Sequence, residues 1–472
     1  MCGIVGCVSG QEVNSLLLES LKKLEYRGYD SYGFATVSGG RIHIEKDAGK
    51  ISAAAVPVTA GDGLPGRAGI AHTRWATHGG VSRDNAHPHT DCTGRIAVAH
   101  NGIVENYQEL RDGLKGKHKL VSDTDTELIC HLIEEGMDKP GDDKPDGPKS
   151  VDDKPDESCK SSDNIAGRHS GFEAAVAEAV KRIEGRHAIA AISAGMEKIV
   201  GVRKGSPLIV GIGKGMNFLA SDIPAFLEHT KDVMYIDDNE MVVIGKDRVD
   251  FYDTLTGNPL KKRVITIDWD AGQAEKGEYS HYMIKEIMEQ KETILRALNQ
   301  DDGEIGRMAN EIRDAFGTFF IGCGTAGRVC LAGEYAFSKI ARKHVNYVMA
   351  SEFPNYQHFL TDKTLVIAVS QSGETADVLE ALEVARKKGS KVISIVNGMG
   401  SSIERMSDYS FRINAGPERA VASTKATTSQ LALITLLAYS MAERLAEGKR
   451  LLIDTASKVN DMLNPRYEEH IR

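Results

Sequence analysis

The sequence predicts an α/β protein in two parts: a layered domain of largely antiparallel sheets, then a doubly wound parallel α/β domain. Three observations predict it. Short strands broken by turns fill the first 270 residues, a polar glycine-containing stretch follows, and beyond Gly306 near-continuous apolar strands alternate with helices.

In the first part, CGIVGCV (2–8), AGIAHTRWA (68–76) and RIAVAHNGIVENY (95–107) read as strands with turns. Val13, Leu16, Leu17, Leu21 and Leu24 fall at helical spacing, and a second helix is expected from near Asp125 to Glu135 behind cap-type residues 122–124. Residues 137–167 carry DDKPD at 142–146 and again at 152–156. With almost no large apolar residue, this acidic insertion cannot repay the entropy of ordering and is expected to be disordered. Order resumes with the helix FEAAVAEAVKRIEG (172–185) and strands at 187–193, 198–204, 207–213 and 239–245.

The expected organisation is therefore a first domain over 2–270, a linker over 271–285, and a second domain over 286–450. The segment 284–298 reads as one helix, and 451–472 as a helix leading on toward a further domain. In the second domain the strands are TFFIGCG, HVNYVMA, TLVIAVS, KVISIVN and YSFRINA, apolar enough to lie in a parallel sheet covered on both faces.

Composition narrows the function. A net charge of −9 over 472 residues argues against a nucleic-acid binder. The longest apolar run, 431–442, is too short for a membrane span. Seven cysteines without a CxxC pair, and no basic-then-apolar amino terminus, point to a cytoplasmic protein.

Cys2 invites a specific mechanism. Met1 is trimmed readily before a small residue, which leaves a thiol and a free α-amine on one residue. With a pKa of about 7.7–8.0, that amine can accept the thiol proton near neutrality. Amide hydrolysis also needs oxyanion donors and holders for the two charged ends of an amino-acid substrate. HTRWATHG (72–79), AHNGIVEN (99–106) and SDTDTE (122–127) supply candidates. Arg74 can grip a carboxylate bidentately, Asn101 and the Gly102 amide can form an oxyanion hole, and Asp125 can pair with an α-ammonium.

Two other readings compete. Histidines 72, 78, 87, 89 and 100 look like a metal cluster, yet no Cys or carboxylate spacing completes a tetrahedral set around them, and no metal is expected. GIGKG (211–215) lacks the Ser or Thr and the spacing of a phosphate-binding loop, and reads as a hairpin turn.

In the second part, IGCGTAG (321–327) satisfies G-x-G-x-x-G between a strand and a helix, with Glu352 at about the distance a dinucleotide fold uses. The next strand end, SQSGET (370–375), favours a phosphate instead. Hydroxyls at 370, 372 and 375 cluster where a helix begins and free N–H groups attract anions. Helix capping by Ser372 or Thr375 accounts for one hydroxyl, not the set.

CGIVG, YRGYDS (26–31), HTRWATHG, NAHPH (85–89), HNGI and TDTE, in this order, resemble the amino-terminal-nucleophile (Ntn) glutaminase domain of the glutamine–fructose-6-phosphate aminotransferases, or glucosamine-6-phosphate synthases. SQSGET, CGT (323–325), ASEF (350–353) and VASTKA (421–426) resemble the sugar-isomerase (SIS) domain of the same family. The resemblance implies Cys2 as nucleophile, Asn101 and Gly102 as oxyanion hole, Arg74 and Asp125 as glutamine ligands, and Trp75 as a gate for ammonia. It implies a fructose 6-phosphate site from Thr325, Ser370, Gln371, Ser372, Thr375, Val421 and Ser423. Ala326 stands where the family commonly has Ser. The family's second SIS domain and its isomerising residues find no counterpart in this sequence, so two outcomes are carried. One is full amidotransfer to fructose 6-phosphate without a cofactor; the other is a glutaminase whose SIS domain only binds or senses the sugar phosphate. By analogy with SIS domains, a homodimer is expected.

Overall fold

Strand alternation builds the first unit from its amino terminus onward. The computed structural model describes residues 2–53, 64–76, 78–137, 171–267 and 276–463. Its two units are Met1–Thr266 and Ile267–Arg472. Most of the acidic insertion lies outside the described residues, as do the first part of the expected linker and residues 464–472.

Gly3–Ser9 (β1) leads into Asn14–Lys23 (α1), which buries Leu17 and Leu21. Ser31–Ser38 (β2) and Arg41–Ala48 (β3) form a hairpin, and Ala68–Arg74 (β4) inserts between β2 and β1. His89–Thr90 (β5) and Ile96–Gly102 (β6) open a second sheet. The helices Tyr107–Leu114 (α2), Thr126–Met137 (α3) and Gly171–Lys181 (α4) follow, and then His187–Ser193 (β7) and Ile199–Lys204 (β8) continue the second sheet. Ile209–Ile212 (β9), Met216–Ala220 (β10) and Asp232–Tyr235 (β11) return to the first sheet. Glu240–Ile244 (β12), Val249–Asp253 (β13) and Pro259–Leu260 (β14) extend the second, and Ile265–Thr266 (β15) edges the first. Among the described residues the orders are β15-β11-β9-β10-β1-β4-β2-β3 and β14-β13-β12-β8-β7-β6-β5, antiparallel throughout. The GIGKG segment is the turn joining β9 to β10.

The period of two along each strand decides which residues meet. On β6, Ile96 and Val98 join the core formed with α3 and α4, whereas Ala97 and Ala99 face the other sheet. Ile4 and Val8 of β1 and Ala68 and Ile70 of β4 line the same seam. Cys2, His72 and Asn101 continue these parities and fall together at one end of the seam. The result is four layers, with α1 outside one sheet and α3 and α4 outside the other.

In the second unit, Tyr282–Met288 (α5), Gln290–Leu298 (α6) and Asp302–Asp314 (α7) precede the sheet. The run expected as one helix over 284–298 breaks at Glu289, whose carboxylate holds the buried Lys425 ammonium at 2.6 Å. Helix α5 starts inside the stretch expected as linker, where Tyr282 accepts a hydrogen bond from Arg419. Gly317–Gly322 (β16), Gly324–Ala336 (α8), Asn346–Met349 (β17), Thr364–Ser370 (β18) and Ala376–Lys387 (α9) come next. Lys391–Val396 (β19), Ser402–Met406 (α10), Tyr409–Arg412 (β20), Lys425–Met441 (α11) and Leu445–Met462 (α12) complete it. The sheet is parallel in the order β17-β16-β18-β19-β20, a doubly wound arrangement. Helix α12 buries Leu452 and Ala456 in the core that α6 and α11 share.

Phe320 on β16 is fully buried, with its ring centroid 5.6 Å from that of Phe337. Truncating it leaves a cavity that the parallel sheet cannot collapse around. Phe320→Ala should destabilise the second unit by about 3–5 kcal/mol in urea titrations; a loss below about 1 kcal/mol would show that the ring does not hold this core.

Candidate active site

Cys2 sits at the head of β1, one residue before the ladder begins. Its carbonyl accepts from Arg27 Nε at 3.2 Å and from Asn101 Nδ2 at 3.1 Å. Arg27 pairs with Asp222 at 2.9 Å, and the same carboxylate oxygen accepts Tyr26 OH at 2.5 Å. The sulfur receives the Trp75 amide N–H at 3.2 Å. Burial pushes the Cys2 thiol above its ordinary value, against the pull of the Trp75 amide and of the Arg74 and Arg27 charges. The resting thiol is therefore protonated, and attack requires a base.

Asn101 is the junction of this site. Its Nδ2 also donates to Ser221 Oγ at 2.9 Å, an oxygen that accepts the Ile4 amide at 2.9 Å. Its Oδ1 lies 3.0 Å from His72 Nε2. Burial lowers His72 to about 3, so the ring is neutral and its Nε2 carries the proton that this acceptor needs. The residue after Asn101, Gly102, has φ 143, and a Cβ there would stand 2.0 Å from the Arg186 carbonyl. Only glycine keeps its backbone in this place.

Arg74 is buried at the end of β4, where it donates to the carbonyls of His78, Gly79 at 3.2 Å and Gly80 at 3.1 Å. It thus clasps the loop after Trp75, whose partly exposed indole meets Tyr29 edge-on at 5.2 Å. Asp125, buried immediately before α3, accepts the Val104 amide at 2.9 Å. That bond ties it to the segment following Gly102. Cys2, Trp75 and Asn101 are directly hydrogen-bonded, and Arg74, Gly102 and Asp125 flank them on adjoining backbone. His72 stacks on His87 at 4.3 Å, and His87 meets His89 at 5.0 Å. His78 instead packs on Tyr107, and His100 bonds Thr126.

Sequence reasoning assigned no role to Arg27, His72, Ser221 or Asp222. Arg27 lay within YRGYDS and its charge was the available signal. Ser221 and Asp222 reach Asn101 and Arg27 across about 120 and 195 positions, and nothing local marks them.

In the second unit the strand order reverses between β16 and β18, the place where such sheets bind ligands. Thr325 opens α8 on one side of this switch point and SQSGET follows β18 on the other, with Cys323 Sγ 3.5 Å from Asp377 bridging them. Ser370 Oγ lies 3.0 Å from Thr375 Oγ1 and accepts the Gly373 amide at 3.0 Å. Ser372 Oγ accepts the Glu374 amide at 3.1 Å. Thr375 occupies the cap position of α9 without a side-chain capping bond. The carbonyl of Gln371 accepts the Asn397 and Gly398 amides, and Glu374 accepts from Ser402, so the turn is braced from β19. Val421 and Ser423 lie on another segment, before α11. Val421 is exposed, and Ser423 donates to Glu418 at 3.0 Å. Glu286 accepts the Arg419 and Ala420 amides and Thr424 Oγ1, which pins this segment. Neither glutamate was singled out from sequence.

Two family models match: the class-II glutamine amidotransferases over residues 27–152 and the SIS domain over 311–440. A protein of Methanothermobacter thermautotrophicus named glutamine–fructose-6-phosphate aminotransferase [isomerizing] is 42% identical over 99% of this chain and 73% of its own length. The chain belongs to the glutamine–fructose-6-phosphate aminotransferase family. Like-named proteins of Pyrococcus horikoshii and Aquifex aeolicus are 40% and 39% identical, over 98% and 99% of this chain and 75% and 74% of theirs. Within this aminotransferase family chain, the amidotransferase match holds Arg74, Trp75, Asn101, Gly102 and Asp125, and the SIS match holds both hydroxyl-bearing segments.

His72 and His187 are both held near 3 by burial, far below the usual histidine value. The unfolded chain takes up these protons near pH 6.5, whereas the fold resists them to about pH 3. Stability is therefore full above about pH 6.5 and falls as pH drops toward 3. Denaturant midpoints at pH 7 and pH 5 should show the loss, and His187→Leu should lessen it; an unchanged pH slope in that variant would mean His187 is protonated in the fold.

Proposed function

We propose that this chain catalyses glutamine-dependent amidotransfer to fructose 6-phosphate, giving glucosamine 6-phosphate and glutamate. The observation that carries this reading is the juxtaposition of the Cys2 thiol with the Trp75 amide and the Asn101 carboxamide in a chain 42% identical to a named aminotransferase.

In this reading Met1 is removed and the α-amine of Cys2 takes the thiol proton. The sulfur attacks the glutamine carboxamide carbon, while Asn101 Nδ2 and the Gly102 amide receive the developing oxyanion. Arg74 takes the substrate α-carboxylate and Asp125 its α-ammonium. The tetrahedral species expels ammonia and leaves a thioester, which water hydrolyses to glutamate. Arg27 and Asp222 hold the Cys2 backbone so that sulfur and amine stay on one side. Trp75 governs the passage of ammonia. Ser370, Ser372, Thr375 and Thr325 seat the sugar phosphate with Gln371, and Val421 and Ser423 contribute from their own segment. No cofactor enters the chemistry. The seven unpatterned cysteines favour a cytoplasmic enzyme, and a homodimer through SIS units is part of the same reading.

Glutamate and glucosamine 6-phosphate should be assayed together. Cys2→Ala should abolish glutamate release, with activity down at least about 10³-fold; retained hydrolysis refutes the nucleophile. Glutamate without the amino sugar would reduce the protein to a glutaminase. Ser372→Ala should raise KM for fructose 6-phosphate several-fold and spare glutaminase turnover; an unchanged KM removes Ser372 from the phosphate site.

A further inference from the structure

Beside α3, where it meets the turn at the edge of the second sheet, four side chains from three segments converge. Cys92 lies in the turn between β5 and β6, His118 in the connection between α2 and α3, and His131 and Glu134 one turn apart on α3. One ligand atom from each falls within 4.8 Å of all the others. Cys92 Sγ is 3.5 Å from His118 Nδ1 and 3.6 Å from His131 Nδ1. Glu134 Oε2 is 2.9 Å from His118 Nδ1 and 3.0 Å from His131 Nδ1.

We propose that Cys92, His118, His131 and Glu134 form a four-coordinate Zn²⁺ site. A tetrahedron with Zn–S of about 2.3 Å and Zn–N of about 2.0–2.1 Å has S···N edges of about 3.5 Å, which is the spacing found. The N···O edges come out near 3.3 Å for the same bond lengths, so the Glu134 oxygen moves outward by a few tenths of an ångström on binding. One thiolate, two imidazoles and one carboxylate suit zinc better than magnesium or calcium, which prefer all-oxygen sets. Thiolate and carboxylate also neutralise the dication.

The surroundings match what zinc ligands require. The far nitrogen of each ring faces a carboxylate: His131 Nε2 is 3.8 Å from Glu127 and His118 Nε2 is 3.7 Å from Glu135. These carboxylates stand beyond hydrogen-bond reach, close enough that a small shift on metal binding brings them onto the far nitrogens as the outer partners zinc-bound imidazoles use. The Lys119 amide points at Cys92 Sγ at 3.5 Å, a donor suited to a thiolate. His131 is fully buried, whereas Cys92 lies in an exposed turn, which gives the ion a way in. Binding releases the Cys92 proton to solvent, and no electron transfer is involved. Bound there, the ion cross-links α3, whose start adjoins Asp125, to the turn that begins β6, the strand carrying Asn101.

The earlier expectation of no metal considered histidines 72, 78, 87, 89 and 100, none of which takes part. Full-length protein produced with zinc in the medium and then desalted should retain one zinc ion per chain. Cys92→Ser and His131→Gln should each lose it, and Cys2→Ala should keep it. Replacing zinc by Co²⁺ should give a thiolate-to-metal charge-transfer band that Cys92→Ser lacks. Chelator should lower the melting temperature of the parent protein by several degrees and added zinc should restore it, a readout that does not depend on the variants folding. Metal-free parent protein that also fails to take up Co²⁺, or metal content undiminished in both variants, overturns the site. Glutaminase activity plays no part in these measurements, so either proposal can fail alone.

Discussion

Two sheets packed face to face bury the polar groups at the end of their seam, and burial creates a demand for hydrogen-bond partners. Asn101 meets that demand for several groups at once. Its carboxamide takes up the Cys2 carbonyl, the Ser221 hydroxyl and the neutral His72 ring. These come from strands β1 and β4, the turn after β10, and β6 itself. A change at Asn101 would take one partner from the Cys2 carbonyl and from Ser221, which keep Arg27 and the Ile4 amide, and would leave His72 Nε2 without its acceptor, at a cost of about 1–3 kcal/mol for that buried group. The position of Cys2 thus depends on an amide whose own geometry the two sheets dictate.

The second unit follows the same logic with a different constraint. A parallel sheet leaves its ligand groups at the carboxyl ends of its strands, and the reversal of order between β16 and β18 opens a crevice there. The hydroxyl of Thr375 turns back to Ser370 rather than capping α9. The amides at the start of that helix are then left to a ligand, which is the arrangement an anion needs. Gly373 permits this turn, since its φ is 69 and a Cβ would strike Ser401. The hydroxyl set is thus a braced loop, tied through Gln371 and Glu374 to the segment after β19.

What was legible in the sequence was periodic or contiguous. The five parallel strands stand where their apolar runs placed them, because a strand buried on both faces has little freedom in composition. The antiparallel strands with clean alternation, such as 187–193, were equally plain. The hairpin of β2 and β3 was not, since SYGFATVS carries small and polar residues on both faces and RIHIEKDA has Lys46 beside Ile42 and Ile44 on its inner one; the Gly39-Gly40 pair between them was the usable signal. The single helix read over 284–298 is interrupted at Glu289, the residue that pairs with the buried Lys425. Site residues on named motifs were readable. Those brought in from afar, Ser221, Asp222 and Glu286, were not, because only the chain's topology makes them neighbours. The same holds for Cys92, His118, His131 and Glu134, whose spacings of 26, 13 and 3 match no linear pattern apart from the short His-x-x-Glu step on one helix face.

Burial makes the Cys2 thiol a weaker acid than usual, and this bears on its reactivity. A thiol that ionises easily is also oxidised easily, and thiolates react with many electrophiles besides an amide. Here burial keeps the sulfur protonated, while the Trp75 amide at 3.2 Å stands ready to favour the anion once it forms. Ionisation is therefore coupled to the moment of attack. In the proposed mechanism the α-amine is the base that makes this coupling local, because it is carried by the same residue and cannot drift from the sulfur. The cluster around the Cys2 carbonyl, Arg27 with Asp222 on one side and Asn101 on the other, fixes the backbone between the two reacting groups. The fold thereby keeps the Cys2 thiol protonated by burial and fixes its backbone by hydrogen bonds, and those two effects act on different atoms of one residue.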